Sequence, residues 1–498
     1  MWDTVGWFAP KQIGGGEGLQ EPGQVDGAAR KLKSRRGSDA VFGMAIAALS
    51  FLQDRRDIRR LRRGGHSKQK EKRPKADHAK SVLSDPRAKR YGAIGVVQEK
   101  AMERRWIVLG LLFLGVVVSY MDRGNLSIAA VPIMKEFGLT PAQMGLLLSS
   151  FFWTYATFQV PGGALLDKFG IRKLYAGAFL VWCLASAAIG WARTFEEVLA
   201  LRLVLGMGEA IAPLASMSFI KQNFDEREQG LPTAIYVAGL TMGPALGALI
   251  GSSLIEWLGW RAMFIVTGLG GCLWVVPWWL LAPQGGAPVA SKVEGSLLDF
   301  LKAPVAWGLS LSVFFYSYFW YFVLTWVPAY LMQAHDFPNL KMGVTMALPL
   351  GGMALVNLAG GAWADRVLKG AAEPLALRRR FVCVGFGLAS ILMGLVWVEK
   401  GGPVIWVLLA SLMGVGIGAG NYWAMSQAAV PRALVGRALG FQNMVAQLAG
   451  ALAPLATGYL LGNGQDYTVA ILVAGACPLV AIGALLLFVR SGRRTDPI

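Results

Sequence analysis

Apolar residues along this chain fall into long unbroken runs. The alternating or one-face patterns of a soluble fold are missing. Twelve runs follow one another, at 106–133, 143–165, 173–193, 197–220, 231–256, 262–283, 306–332, 343–364, 380–399, 403–428, 434–461 and 467–489. Each reaches about 20 residues, the length a helix rising about 1.5 Å per residue needs to cross a bilayer. Short connections rich in Gly, Pro and charge separate the runs. The pattern predicts an all-α membrane protein of twelve transmembrane helices. The longest break divides six runs from six. It predicts an N-terminal six-helix bundle over 104–283, a cytoplasmic linker over 284–303, a C-terminal bundle over 304–490 and a short basic tail over 491–498.

Composition agrees with this pattern. The chain of 498 residues is 55% hydrophobic with mean hydropathy +0.47. Only 16% of it is charged, against about 25% in soluble domains. Residues 1–103 stand apart as a basic, disordered extension. The first 100 residues hold 22 Lys and Arg against 11 Asp and Glu, and their one apolar patch, 40–52, is too short to span. The extension is expected to add neither a span nor a site residue, so a chain starting at Met102 should still insert and transport. Its charge has a weaker reading as contact with anionic lipid. Nucleic-acid binding is not expected.

Lys and Arg also set the topology, because loops rich in them stay on the cytoplasmic side. Alternate loops carry Lys168, Arg172 and Lys173, then Lys221 and Arg227, then Lys292 and Lys302, then Arg366, Lys369 and Arg378 to Arg380, then Arg432 and Arg437. The opposite loops hold little beyond Lys135, Arg261, Lys341 and Lys400. Both termini are therefore expected in the cytoplasm and the bundle in the inner membrane. The four cysteines sit singly in apolar runs and read as small core residues. The three histidines form no ligand spacing, and no nucleotide-binding loop or nucleophile elbow is present. These features argue against a metal, a cofactor, ATP-driven transport and an enzyme.

Four charges break the apolar runs. Asp122 and Arg123 interrupt the first, and Arg202 and Glu209 interrupt the fourth. Each charge at membrane depth costs about 2.5–3.5 kcal/mol on insertion scales. Adjacent helical residues point about 100° apart, so Asp122 and Arg123 cannot be satisfied only by each other. Arg202 and Glu209, seven apart, share one helix face, and Gly206, Gly208 and Ala210 beside Glu209 let another helix approach. A guanidinium binds a carboxylate through a bidentate fork and stays charged, whereas a carboxyl group can cycle through a proton. A static ion network locking helices 1 and 4 is the plain alternative. Tyr155 is a candidate contact for a substrate hydroxyl, and Tyr321 stands at the expected cavity. Asn421, Ser426, Gln427, Gln442, Asn443 and Gln447 place polar groups inside helices 10 and 11.

The two halves echo each other. Gly162-Gly163-Ala-Leu-Leu-Asp167-Lys168 closes helix 2, and Gly360-Gly361-Ala-Trp-Ala-Asp365-Arg366 closes helix 8. Such a repeat implies two similar bundles with a site between them. The stretch Gly163-Ala-Leu-Leu-Asp167-Lys168-Phe-Gly170-Ile-Arg172-Lys173 resembles the cytoplasmic gating motif of the major facilitator superfamily. Tyr120-Met-Asp122-Arg123-Gly-Asn125, Phe152-Trp-Thr-Tyr155-Ala-Thr-Phe-Gln159-Val-Pro161, Leu201-Arg202 through Glu209-Ala210, Trp260-Arg261-Ala-Met-Phe264 and Leu324-Thr325-Trp326-Val-Pro328 resemble its anion:cation symporter branch. That branch includes proton-coupled sugar-acid carriers. The resemblance implies that Asp122 and Glu209 carry protons, that Arg123 meets the substrate carboxylate and that Arg202 pairs with the acids. It implies a monomer whose partners are a small organic anion, protons and lipid. The sequence departs from sugar-acid carriers at Ala238-Gly239-Leu240, where a Gln is frequent, and at Ala446-Gln447-Leu448, where an Asn is frequent, so a less hydroxylated or aromatic carboxylate stays open. The expected activity is uptake of such an anion with protons. The rivals are export by the same fold and a non-transporting sensor.

Overall fold

The computed structural model describes residues 86–489, except 226–227, 284–296, 369–372, 431–433 and 463–465. The expected extension up to residue 85, most of the expected linker and the tail 491–498 lie outside the described residues. Residues 86–103, read as extension, are helical backbone: α1 runs unbroken over Pro86–Ile128. Residues 92–498 form one compact unit, and every contact below lies within it. Of the unit before it, 1–91, only the first residues of α1 are described.

Every described regular element is a helix. After α1 come α2 (Ala130–Phe137), α3 (Pro141–Ile189), α4 (Phe195–Glu209), α5 (Ile211–Asn223), α6 (Gly230–Cys272) and α7 (Val275–Leu281). The second half holds α8 (Leu297–Lys302), α9 (Pro304–Thr325), α10 (Val327–Gln333), α11 (Asn339–Leu368), α12 (Pro374–Ala389), α13 (Val404–Ala429), α14 (Val435–Leu461) and α15 (Thr468–Phe488), with a tighter 3₁₀ turn over Ser390–Trp397 after α12. Among the described residues, ten helices are long and apolar enough to cross a membrane. Two of these, Pro141–Ile189 and Gly230–Leu281, run 49 and 52 residues. A straight helix of that length would exceed 70 Å, about twice the ~30 Å hydrocarbon core. Each is divided by one glycine, Gly170 at φ 75° and Gly259 at φ 83°, conformations that an L side chain rarely adopts. Each therefore makes two crossings, and the twelve spans of the sequence pattern result.

Local signals place the helix starts. Thr140 caps α3 in a reciprocal box with Gln143, and Pro141 takes the first helical position. Thr194 caps α4, with Glu196 and Glu197 in its first turn. Inside the first half, Trp274 donates to the Leu111 carbonyl at 2.7 Å and Trp278 to the Arg172 carbonyl at 3.1 Å. With Tyr175, Phe179 and Trp182 they form an aromatic core that fixes the sixth span against the first and third. At the Gly259 end, Glu136 accepts from Trp260 and from Arg261, while Arg261 also donates to the Gly190 and Ala192 carbonyls.

The halves meet closely at that same end. A Cβ at Gly145 would stand 2.6 Å from the Pro454 carbonyl, and one at Gly458 2.5 Å from that of Pro141, so α3 and α14 touch backbone to backbone. Gly343 at the start of α11 packs against Ser252 and Ala248 of α6. Ser127 donates to the Leu324 and Thr325 carbonyls at 2.8 and 2.9 Å. Asn339 donates to Glu256 at 3.0 Å.

Candidate substrate and coupling site

The register of α1 divides its polar residues between two faces. Ser119 and Arg123, four apart, turn toward α4. Ser119 Oγ donates to Glu209 Oε2 at 2.7 Å, and Arg123 Nε donates to the same oxygen at 2.6 Å. Asp122 and Asn125, three apart, turn toward α3 and the sixth span. Asp122 Oδ1 accepts from Ser186 at 3.0 Å and from Asn125 at 3.3 Å, and Asn125 also donates to Thr267 Oγ1 at 3.1 Å. Asp122 and Arg123 thus find separate partners, as their 100° offset requires.

Glu209 is fully buried at the junction of α4 and α5. Gly206 lets the Phe151 carbonyl and Thr154 press against α4 on one side. Gly208 lets Ala178 and Trp182 do so on the other. Among the described residues Glu209 Oε1 has no hydrogen-bond partner. The Arg123 guanidinium lies over the rings of Tyr120, Phe151 and Tyr155, at 4.5, 4.7 and 4.4 Å from their centroids. This aromatic box holds the cation where little water can reach it.

The resemblance implied that Arg202 pairs with the acids. In the structure Glu209 pairs with Arg123 instead. Among the described residues Arg202 forms no ion pair, and its buried Nε and Nη1 have no partner. Its guanidinium lies 5.2 Å from the Phe151 ring. Arg123 and Arg202 both line a central cavity of about 30 Å³, with Tyr120, Phe152, Tyr321 and Thr325. That is room for about one water. Two cations and one intervening ring therefore face a small space between the halves, with one carboxylate behind them.

Tyr155 does not line this cavity; its ring packs on Arg123 and on Phe151. Tyr321 does line it, and its hydroxyl donates to Gln447 Oε1 at 3.1 Å. Gln447 donates to Asn443 and Asn443 to Gln159, both at 3.4 Å, so a line of amides crosses from α9 through α14 to α3. Gln442 lies on another face of α14, where it accepts from Ser426 and Tyr422. Asn421 donates to the Ile417 carbonyl, and Gln427 is exposed.

The stretch that resembles a gating motif sits at the Gly170 end. Arg172 donates to the Trp279 carbonyl and stacks over that ring at 4.9 Å, so it ties the turn to the end of the sixth span. Gly163 is half-buried, and Asp167, Lys168 and Arg366 are exposed. The Asp365 side chain lies outside the described residues. Sequence reasoning did not single out Ser119, Ser186, Thr267 and Gln159 as site residues. Ser119 was readable as the position one turn before Arg123. The others needed the packing of distant spans.

A membrane carrier built from two six-helix bundles, with buried charges facing a central cavity, is the class that this fold and site define. The chain belongs to the Major Facilitator Superfamily, whose sequence model matches residues 112–454; it is a transporter, not an enzyme. It is 28% identical over 437 residues to the "Probable galactarate/D-glucarate transporter" of Escherichia coli K12, covering 80% of this chain and 98% of that one. It is 29% identical to the D-galactonate transporter of Escherichia coli O6:H1, over 80% and 99% of the two chains. The hexuronate transporter of Bacillus subtilis is also 29% identical, over 77% and 94%. Among solved structures, a bacterial homologue of the human lysosomal transporter Spinster, inward-facing and occupied, superposes with TM-score 0.62 at 20% identity, over 77% and 94%. The xylose transporter XylE from E. coli, inward-open, gives 0.62 at 15% identity, over 79% and 98%.

Proposed function

We propose that this protein imports a small organic anion of the sugar-acid class together with protons, by alternating access across the inner membrane. In this reading it works as a monomer with both termini in the cytoplasm, and the closed Gly259 end is the outer face. The observation that carries the reading is the Arg123–Glu209 pair, 2.6 Å long and almost wholly buried, beside Arg202, which forms no ion pair among the described residues. A substrate carboxylate must compete with Glu209 for Arg123. A proton on Glu209 removes its charge and releases the guanidinium for the incoming carboxylate, which it binds through its fork. Linkage makes the effect reciprocal, so an anion on Arg123 favours the proton on Glu209. Arg202 supplies a second cation on the same cavity. Tyr321, with Gln447 and Asn443 behind it, supplies hydroxyl and amide groups for a hydroxylated chain. The cavity must widen to admit such a molecule, and the backbone contacts of Gly145, Gly458 and Gly343 must part to open the outer face. The names of the relatives favour sugar acids as the substrate class.

A thermal-shift screen of purified protein against sugar acids, dicarboxylates and aromatic acids, at acidic and neutral pH, tests this reading. A hexonate or hexarate is expected to raise the melting temperature most, and more strongly at acidic pH. Equal shifts at both pH values would remove proton linkage, and stabilisation by aromatic acids alone would move the substrate class.

A further inference from the structure

Asp122 does not face the central cavity. It points about 100° around α1 from Arg123 and is sealed among three helices of the first half. It is 1% exposed, and Ser186 and Asn125 are fully buried beside it. Its two oxygens are treated unequally. Oδ1 accepts from Ser186 Oγ at 3.0 Å and from Asn125 Nδ2 at 3.3 Å, whereas Oδ2 has no hydrogen-bond partner among the described residues. Asn125 is itself anchored. Thr267 gives its proton to the Met263 carbonyl at 2.8 Å, and so accepts the second amide hydrogen of Asn125 at 3.1 Å.

Backbone contact holds this arrangement in place. A Cβ at Gly268 would stand 2.5 Å from the Ala187 nitrogen and 2.6 Å from the Cys183 carbonyl. The sixth span therefore lies directly against α3 on both sides of Ser186. The charged and titratable groups in the field of Asp122 are Glu209 and Arg202 from α4, Cys183 from α3 and Cys272 from α6.

We infer that Ser186 is a positioning residue for the proton on Asp122, and that Asn125, held by Thr267, is its second support. Two donors on Oδ1 stabilise the ionised carboxylate and leave Oδ2 as the oxygen on which the new O–H bond forms when a proton arrives from water. Ser186 thereby sets the pH at which Asp122 exchanges its proton, without touching substrate. The inference rests on the proposed reading only in taking Asp122 as a proton carrier.

Infrared difference spectroscopy on full-length protein in lipid bilayers separates the two. The carboxylic-acid C=O band that appears on acidification and vanishes in Asp122→Asn reports the Asp122 proton directly, with no substrate present. Ser186→Ala removes one donor to the charged form, so the band should titrate at higher pH, by about one unit. Ser186→Thr restores the hydroxyl and should return the midpoint to that of the natural chain. Thr267→Val, which frees Asn125, should shift it in the same direction by less. A midpoint unmoved in Ser186→Ala would overturn the inference while leaving Asp122 as a proton carrier. A loss of fold in Ser186→Ala leaves the Thr267→Val midpoint as the test, and no shift there would overturn it as well. Absence of any Asp122 band across the acid-to-neutral range would sink both the inference and the role of Asp122 in coupling.

Discussion

The first half of the molecule sets four charged side chains at membrane depth, whereas the second half buries amides, hydroxyls and the His335 imidazole. Around Asp122, Arg123, Arg202 and Glu209, several polar atoms lack partners: Asp122 Oδ2, Glu209 Oε1, Arg123 Nη1 and Arg202 Nε and Nη1. In the second half, Gln442 accepts from Ser426 at 2.7 Å and from Tyr422 at 3.0 Å, and Tyr422 also reaches the Leu309 carbonyl at 2.7 Å. A charge can be changed by a proton or an arriving anion, and each change alters the energy of every charge near it. Neutral amides have no such states at physiological pH. We propose that the first half couples, while the second holds shape and recognises hydroxyls. Both halves leave some buried polar atoms without a hydrogen bond among the described residues, Gln442 Nε2, Ser312 Oγ and His335 Nδ1 among them in the second half, so the division rests on charge and not on how well the polar groups are satisfied.

The largest effect is expected at Arg123. Arg123→Ala should weaken anion binding by about 100-fold or more at either pH, since it removes one partner of a buried charge pair. Arg123→Lys should rescue poorly, because an ammonium lacks the planar fork. Titration calorimetry with the best ligand of the screen checks both, and near-natural affinity in Arg123→Ala would transfer the anion to Arg202. In the neutral half the effect should fall on stability. Gln442→Leu leaves the Ser426 hydroxyl short of its acceptor, while Tyr422 keeps the Leu309 carbonyl, and should cost about 1–3 kcal/mol. Thermal unfolding would show that loss, and the pH profile of uptake should not move. Gln447→Ala, which deprives the Tyr321 hydroxyl of its acceptor, should raise KM a few-fold with the pH profile again unchanged. A shifted profile in either variant would mean that the neutral half takes part in coupling.

The smallest effect lies outside the membrane spans. Hydrogen bonds from Arg261 hold the Glu136 carboxyl below its ordinary range. A carboxyl whose folded value is depressed adds stability above its unfolded value, near pH 4.3, and loses it as pH falls through the folded one. The pair is 36% and 44% exposed, so solvent screens it and the contribution is small. Glu136→Gln should lower the melting temperature slightly at neutral pH and remove that increment at acid pH. An equal loss at both would show that the Trp260 contact, and not the charge, is what matters.

Much of this was legible in the chain, for stated physical reasons. Apolar run length gave the spans, because a bilayer fixes it, and the four charges stood out because hydrocarbon makes them costly. The offset of Asp122 from Arg123 predicted separate partners, and the glycines beside Glu209 predicted close helix approach. The pairing itself was not legible. Arg202 and Glu209 share a face by spacing, yet α4 ends at Glu209, and the acid instead meets Ser119 and Arg123 of α1. Ser186 is one small hydroxyl in an apolar run, and only the contact of Gly268 with α3 reveals what it faces. Residues 86–103 read as extension because their composition is polar, and helical backbone there carries no hydropathy signal.

We propose that Asp122 and Glu209 couple the anion to protons. An amide mimics the protonated acid at nearly the same volume. Asp122→Asn and Glu209→Gln should therefore retain anion binding and lose accumulation against a gradient, with Glu209→Gln the more severe. The direct measurement is uptake of a bound sugar acid into proteoliposomes after an imposed pH step, compared with substrate-for-substrate exchange in the same vesicles. The account predicts uphill accumulation in the natural chain, none in either variant, and exchange surviving in at least one. Uphill accumulation in both amide variants would contradict it and leave the four buried charges as a static lock between α1 and α4.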